Sequence, residues 1–227
     1  QVDRENVSGI AAHGARVVFE RRPGYGAAFQ AGFRAVTADI VVTMDGDAQY
    51  DIRDVPRLVR IFQAGKLDVL STNRFPLERG SMPAYRRIGN AALTATAWLL
   101  FGRAIRDTQS GMWVFSRSCL DRIGAREPGM AYSEEFKLKA VRAGLAFGEA
   151  HIRYLPRVGN SKLVPFSDGW KNLVYLFRLR FQRHGVPAWR RSRKPVVTEP
   201  KRLNMPISLR SSSNQRTTGS SGRGRNW

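Results

Sequence analysis

The chain has 227 residues, with 38 Lys and Arg against 18 Asp and Glu, and a single cysteine, Cys119. That length can bury a sizeable core, one domain with extensions; one cysteine excludes an intramolecular disulfide framework, and no apolar run approaches the roughly 18 residues of a membrane span. The net charge of +20 points to an acidic partner (nucleic acid, anionic membrane or phosphorylated substrate), but residues 178–227 hold 13 Lys or Arg and one acidic residue, so most of the excess describes a tail rather than a fold.

In chain order, Arg16-Val17-Val18-Phe19 reads as a short strand and Arg21 to Gly26 as a loop punctuated by Pro23, Gly24 and Gly26. Ala27 to Thr37 reads as a helix and Ile40 to Met44 as a strand buried on both faces, which together make a βαβ unit with a right-handed crossover. Val55, Leu58, Val59 and Phe62 fall at helical spacing, with Asp51 or Asp54 available as a cap. Leu67 to Thr72 is a strand, 75–83 a loop, and Arg86 to Phe101 an apolar helix stopped by Gly102. Asp107 to Gly111 is a polar turn feeding a strand through Phe115. Ser133 to Gly144 is a helix with Glu134 and Glu135 in its first turn, where acids suit the macrodipole. Ala150 to Leu155 alternates as a strand, and Trp170 to Arg183 is an amphipathic helix. From Arg191 onward the Arg, Ser, Thr, Gly and Pro content predicts disorder.

The stretch with chemical content is Asp45-Gly46-Asp47-Ala48-Gln49, at the C-terminal end of a buried strand, where open α/β sheets place ligands. Gly46 allows a sharp bend that lets the two carboxylates converge, and paired hard oxygen donors suit Mg²⁺ or Mn²⁺ holding phosphates. A solvated turn is the plain alternative for the same residues.

Six segments in this order resemble glycosyltransferase family 2, in its subgroup of polyprenyl-phosphate sugar synthases such as dolichol-phosphate mannose synthase. They are Arg22 to Ala28, Asp45 to Gln49, Asp68 to Arg74, Asp107 to Gly111, Ser133 to Glu135, and Arg157 to Leu163. The resemblance implies a GT-A fold, Rossmann-like α/β, and an inverting transfer of sugar from a nucleotide-sugar to a polyprenyl phosphate with Mg²⁺ or Mn²⁺. Carried over, Asp45, Asp47 and Gln49 hold the metal, and Asp45, Asp47, Asp107 and Glu134 form the catalytic set. Arg22, Gly26, Arg74, Arg86, Arg87, Ser110, Arg157 and Lys162 contact substrates. The chain departs from the family at three points. It starts after the strand and loop that hold the nucleotide base, Tyr25 stands where a basic residue is usual, and Asp51 stands in place of proline. A chain opening on Gln1 is expected to be a piece of a longer polypeptide or a processed product. The domain reading is a catalytic domain at 1–165 without its first strand, an interfacial helix at 166–190 and a disordered basic tail at 191–227.

The chemistry agrees with that implication. An acceptor phosphate, with its second pKa near about 6, is already ionised at neutral pH, so positioning arginines matter more than a general base. Two stretches address the membrane. Ala91 to Phe101 suits either a core helix or an interfacial one. In the last helix Trp170, Leu173, Val174, Phe177 and Phe181 share a face, with Lys171, Arg178 and Arg183 off it, as in helices that lie among headgroups, though packing on the catalytic domain would use the same face. The resulting expectation is a cytoplasmic enzyme, peripheral on an anionic membrane face, with no nucleic-acid partner. The alternatives are an inactive or truncated relative and, through the tail alone, a nucleic-acid binder.

Overall fold

The computed structural model describes residues 9, 11–102, 105–158, 165–182 and 197–198. The helices are α1 (Tyr25–Ala35), α2 (Val55–Ala64), α3 (Ala84–Phe101), α4 (Leu120–Ile123), α5 (Tyr132–Arg142) and α6 (Pro165–Phe181). The strands are β1 (Ile40–Thr43), β2 (Val69–Asn73), β3 (Trp113–Ser116), β4 (Phe147–His151) and β5 (Val197–Thr198). They form one five-stranded mixed sheet in the order β1-β3-β2-β4-β5. β3 runs antiparallel to both β1 and β2, while β4 is parallel to β2 and β5 parallel to β4.

Period-two alternation divides the sheet between two cores. On one face Val69, Trp113 and Phe115 pack with α3, α5 and α6, and on the other Leu70, Met112 and Val114 pack with Leu58 and Phe62 of α2. Trp113 anchors the first face: it stacks on Phe136 of α5 at 4.7 Å and on Phe29 of α1 at 5.3 Å between ring centroids. The apolar period of 55–64 thus specifies α2 at the expected limits. Asp51 caps a 3₁₀ turn ahead of it by accepting from Arg53 N at 3.0 Å.

Several expectations are corrected. Arg16 to Phe19 forms no strand and has no ladder partner among the described residues, and Val18 and Phe19 are exposed, so the βαβ unit expected there does not form. β1 is only half-buried at Ile40 and Val42. The strand read at 150–155 runs at 147–151, in register with β2 from Val69↔Phe147 to Asn73↔His151. Ala150, Ile152 and Tyr154 do share one buried face, but Tyr154 reaches only an isolated bridge to Tyr50. Glu134 and Glu135 do stand in the first turn of α5, and both are buried. Val197 and Thr198 form β5 inside the segment read as disordered; the rest of 183–227 lies outside the described residues, as does Lys162.

Candidate functional site

The site forms where β1 ends. Thr43 Oγ1 donates to the Gly111 carbonyl at 3.0 Å and accepts from Trp113 N at 3.0 Å, tying the strand end to the 107–111 turn. The chain then bends. Gln49 N donates to Asp47 Oδ1 at 3.1 Å, and Ala48 takes φ +61°, a left-handed conformation that costs a non-glycine residue about 1 kcal/mol. The bend is held against 154–158 by Leu155 N to Gln49 O (2.8 Å) and Val158 N to Asp47 O (3.2 Å). Asp45, Gly46 and Asp47 thereby line a cleft of about 1300 Å³ whose far wall is α6, through Trp170, Lys171, Tyr175 and Arg178.

Asp45 is pushed above the usual carboxylate range, first by burial and then by the Asp47 charge, while the Tyr25 hydroxyl bonded to it opposes the shift. Asp47 ion-pairs with Arg157 at 2.8 Å. Gln49 is fixed on all sides: Nε2 donates to the Ser81 and Leu155 carbonyls at 3.1 and 3.2 Å, and Oε1 accepts from the Tyr154 hydroxyl at 3.0 Å. Those bonds orient the amide so that its oxygen keeps a free lone pair. Gly111 leaves the room for this arrangement, since a Cβ there would lie 2.5 Å from the Tyr25 hydroxyl and 3.0 Å from an Asp45 oxygen. Two neighbouring carboxylates, one of them raised by burial and by the other's charge, and one oriented amide oxygen make a hard-oxygen set suited to Mg²⁺ or Mn²⁺. No cluster of three or more His, Cys, Asp or Glu suited to a metal exists among the described residues, so this mixed set is the candidate.

The cleft narrows to a throat of about 130 Å³ that shares Tyr25, Asp45, Met130 and Arg157 with it and adds Gln49, Arg74, Arg86, Asn90 and Gln109. Beyond the throat a groove of about 430 Å³ runs between α3 and α6, lined by Tyr85, Ala92, Leu93, Trp170 and Leu173. Arg86, Asn90, Gln109 and Met130 border both throat and groove.

A buried polar layer lies beneath. Arg74 grips Asp107 through Nε–Oδ2 at 2.7 Å and Nη2–Oδ1 at 2.9 Å, and its guanidinium sits 5.1 Å from the Tyr154 ring centroid. Burial alone would raise the Asp107 carboxyl; Arg74, helped by Lys137, overrides it and holds the group low. Lys137 Nζ donates to the carbonyls of Asp107, Thr108 and Ser110 at 2.9, 3.1 and 2.6 Å, and burial pulls it down to about 7. Glu149 accepts from Arg106 N at 2.9 Å, and burial raises it to about 7.

The residues expected from sequence therefore separate. Asp45, Asp47, Gln49, Arg74, Arg86 and Arg157 meet at the cleft and throat. Asp107, Ser110 and Glu134 are enclosed and line none of these cavities. Gly26 is a packing residue: its N–H goes to the Gly129 carbonyl at 3.2 Å and a Cβ would stand 2.0 Å from the Glu127 carbonyl oxygen. Arg22 is exposed and pairs with Glu20 at 3.0 Å, and Arg87 is exposed away from the throat. Sequence reading missed Tyr50, Tyr154, Asn90 and Asn172. Asn90 was accessible to it, four residues after Arg86 on one helix face.

Comparison with known proteins gives the family. The profile described as "Glycosyl transferase family 2" matches residues 4–124. The low-salt glycan biosynthesis hexosyltransferase Agl6 of Haloferax volcanii is 32% identical over 73% of this chain and 41% of its own length. The dolichyl-phosphate hexose transferase of the same organism is 33% identical over 69% of this chain and 68% of its own. Among solved structures, glucosyl-3-phosphoglycerate synthase from Mycobacterium tuberculosis, in complex with Mn²⁺, UDP-glucose and phosphoglyceric acid, superposes with a TM-score of 0.61. It is 22% identical, and the match covers 79% of this chain and 65% of that one, which shows a shared GT-A-like α/β fold. By the profile match, and by relatives above 30% identity over most of its length, the chain belongs to glycosyl transferase family 2.

Proposed function

We propose that this domain transfers a sugar, with inversion, from a nucleotide-sugar to a polyprenyl phosphate, and that it does so with Mg²⁺ or Mn²⁺. The observation that carries the reading is the continuity of a cleft bearing Asp45 and Asp47, a basic throat and an apolar groove. The donor's diphosphate belongs in the cleft beside Asp45, Asp47 and Arg157. The acceptor phosphate belongs in the throat at Arg86 and Asn90, and the first prenyl units in the groove between α3 and α6. The relatives support both ends: one is named for dolichyl phosphate, and the fold neighbour holds Mn²⁺ with UDP-glucose.

Asp45, Asp47 and the Gln49 amide oxygen would hold the metal, which when bound neutralises the leaving diphosphate. Arg157 adds positive charge on the same side. Arg86 orients the acceptor phosphate, whose oxygen is already ionised and attacks the anomeric carbon from the face opposite the diphosphate. The new C–O bond forms as the old one breaks, its electron pair leaves on the diphosphate, and no proton need be removed.

The same reading puts the domain on a membrane surface, since the acceptor's tail lives in lipid. α6 exposes Trp170, Val174, Phe177 and Phe181, and α3 exposes Ile88 and Leu99, the latter 85% accessible. No described helix is long and apolar enough to cross a bilayer. Lys171, Arg178 and Arg180 accompany the apolar stripe and suit anionic headgroups.

The test is product formation. The chain is incubated with Mn²⁺, a panel of UDP- and GDP-sugars, and either a polyprenyl phosphate in detergent or 3-phosphoglycerate. Lipid-linked sugar of inverted anomeric configuration is expected. Transfer to 3-phosphoglycerate alone would replace the lipid reading with a soluble phosphorylated acceptor, and binding of nucleotide unaffected by chelator would remove the metal.

A further inference from the structure

Glu134 is fully buried at the first turn of α5 and lines none of the three cavities, yet it belongs to a chain of side chains that reaches the cleft wall. Its Oε1 accepts from Gln109 Nε2, and Gln109 Oε1 accepts from Asn172 Nδ2 of α6 at 3.1 Å. Gln109 is itself fixed by its backbone N–H to Asp107 Oδ1 at 3.1 Å. Asn172 borders both the cleft and the groove, so this chain ties the wall shared by the two cavities to the 107–111 turn. Two acceptor atoms in it, Glu134 Oε2 and Asn172 Oδ1, are buried without a hydrogen-bond partner among the described residues.

We propose that Glu134 is a positioning residue, clasping α6 to the 107–111 turn through Gln109 and Asn172, and not a catalytic acid or base. An ionised carboxylate with a single hydrogen bond in this enclosure would cost several kcal/mol, so Glu134 carries a proton. Burial agrees, raising it to about 8. The charged group that acts on it is Lys137 on its own helix, and Lys137 in turn faces the Arg74–Asp107 pair and Glu149 on β4. The α6 residue that enters the cluster is the neutral Asn172. With four cleft-lining residues on α6 named above, the clasp sets where that wall stands; this consequence, though not the clasp, rests on the proposed transfer reaction.

Hydrogen exchange followed by mass spectrometry at pH 7 tests it on the full chain. Glu134→Ala and Gln109→Ala should speed exchange of the α6 amides about tenfold while β2 and β4 stay protected, the loss of one buried hydrogen-bonded link. Glu134→Gln, which copies the protonated form, should remain within about twofold of the parent. Should Glu134→Ala fail to fold, Asn172→Leu removes the clasp from the α6 side and should loosen α6 alone. Loosening by Glu134→Gln equal to that of Glu134→Ala would overturn the proposal, as would unchanged α6 protection in Gln109→Ala and Asn172→Leu. Titration of each variant with UDP and Mn²⁺ separates the two ideas: α6 loosening with no nucleotide binding by the parent leaves the clasp standing and removes the donor reading.

Discussion

Two sets of acids from neighbouring motifs end in opposite circumstances. Asp45 and Asp47 sit on a bend open to a large cleft, where the Asp47 charge helps raise Asp45, and their side chains pair with Tyr25 and Arg157. Asp107, Glu134 and Glu149 lie within a few residues of that cleft, but each is enclosed and hydrogen-bonded into the scaffold. The first set retains oxygen lone pairs for a ligand; the second uses them to fix the turn and walls that shape the site. Motif membership therefore does not distinguish an acid open to the cleft from one built into the scaffold, whereas enclosure does.

The strongest way to break this contrast is Asp107→Ala. It leaves the Arg74 guanidinium buried without its bidentate partner, and urea denaturation should show a loss of about 3–5 kcal/mol. If stability is unchanged, the buried layer is not the support described.

The pH dependence separates the sets next. Glu134 binds its proton more tightly folded, at about 8, than at its ordinary 4.5. Its contribution is therefore fully present below about 4.5 and is lost as pH rises through about 8. Lys137 has the opposite sign above about 7, but it is common to parent and variant. The stability difference between the parent and Glu134→Gln should accordingly slope across that window; parallel curves would place the charge elsewhere.

Gly111→Ala attacks the boundary between the two sets. The added methyl meets the Tyr25 hydroxyl and Asp45, so an overpacking loss of about 1–3 kcal/mol is expected in thermal melts, together with weaker Mn²⁺-dependent UDP binding. Asp47→Ala should do the reverse of Asp107→Ala: calorimetric titration loses its metal dependence, while stability moves by no more than about 1 kcal/mol because the Arg157 pair is partly exposed. The smallest effect is Ala48→Gly, which relieves the left-handed residue and should raise stability by about 0.5–1 kcal/mol.

The sequence made the open set legible because a strand that ends in carboxylates advertises itself through hydrophobic contrast. Helices α2, α3 and α6 were legible from their apolar period, and Gly102 from its position just past one of them, where it takes φ +89°. The buried set was not separable. Asp107, Ser110 and Glu134 carry the same residue types as the cleft residues, and only the three-dimensional fold reveals that Arg74 and Lys137 close over them. Strand limits were also hidden. Arg16 to Phe19 has strand composition, yet composition cannot supply a neighbouring strand, and β4 is displaced by its register with β2. The dual character of α6 was half-legible: the face read as interfacial does expose Trp170, Val174, Phe177 and Phe181, but Leu173 turns toward the core with Leu176 and Leu179.

The cleft and the α3–α6 groove adjoin along Met130, Trp170 and Asn172, and both border the throat. In the proposed reaction the two substrates then arrive from different phases, the donor by diffusion in water and the acceptor by lateral diffusion in lipid. The products part the same way, nucleotide to water and glycolipid to the bilayer, and accumulation of one in its own phase does not obstruct entry of the next substrate from the other.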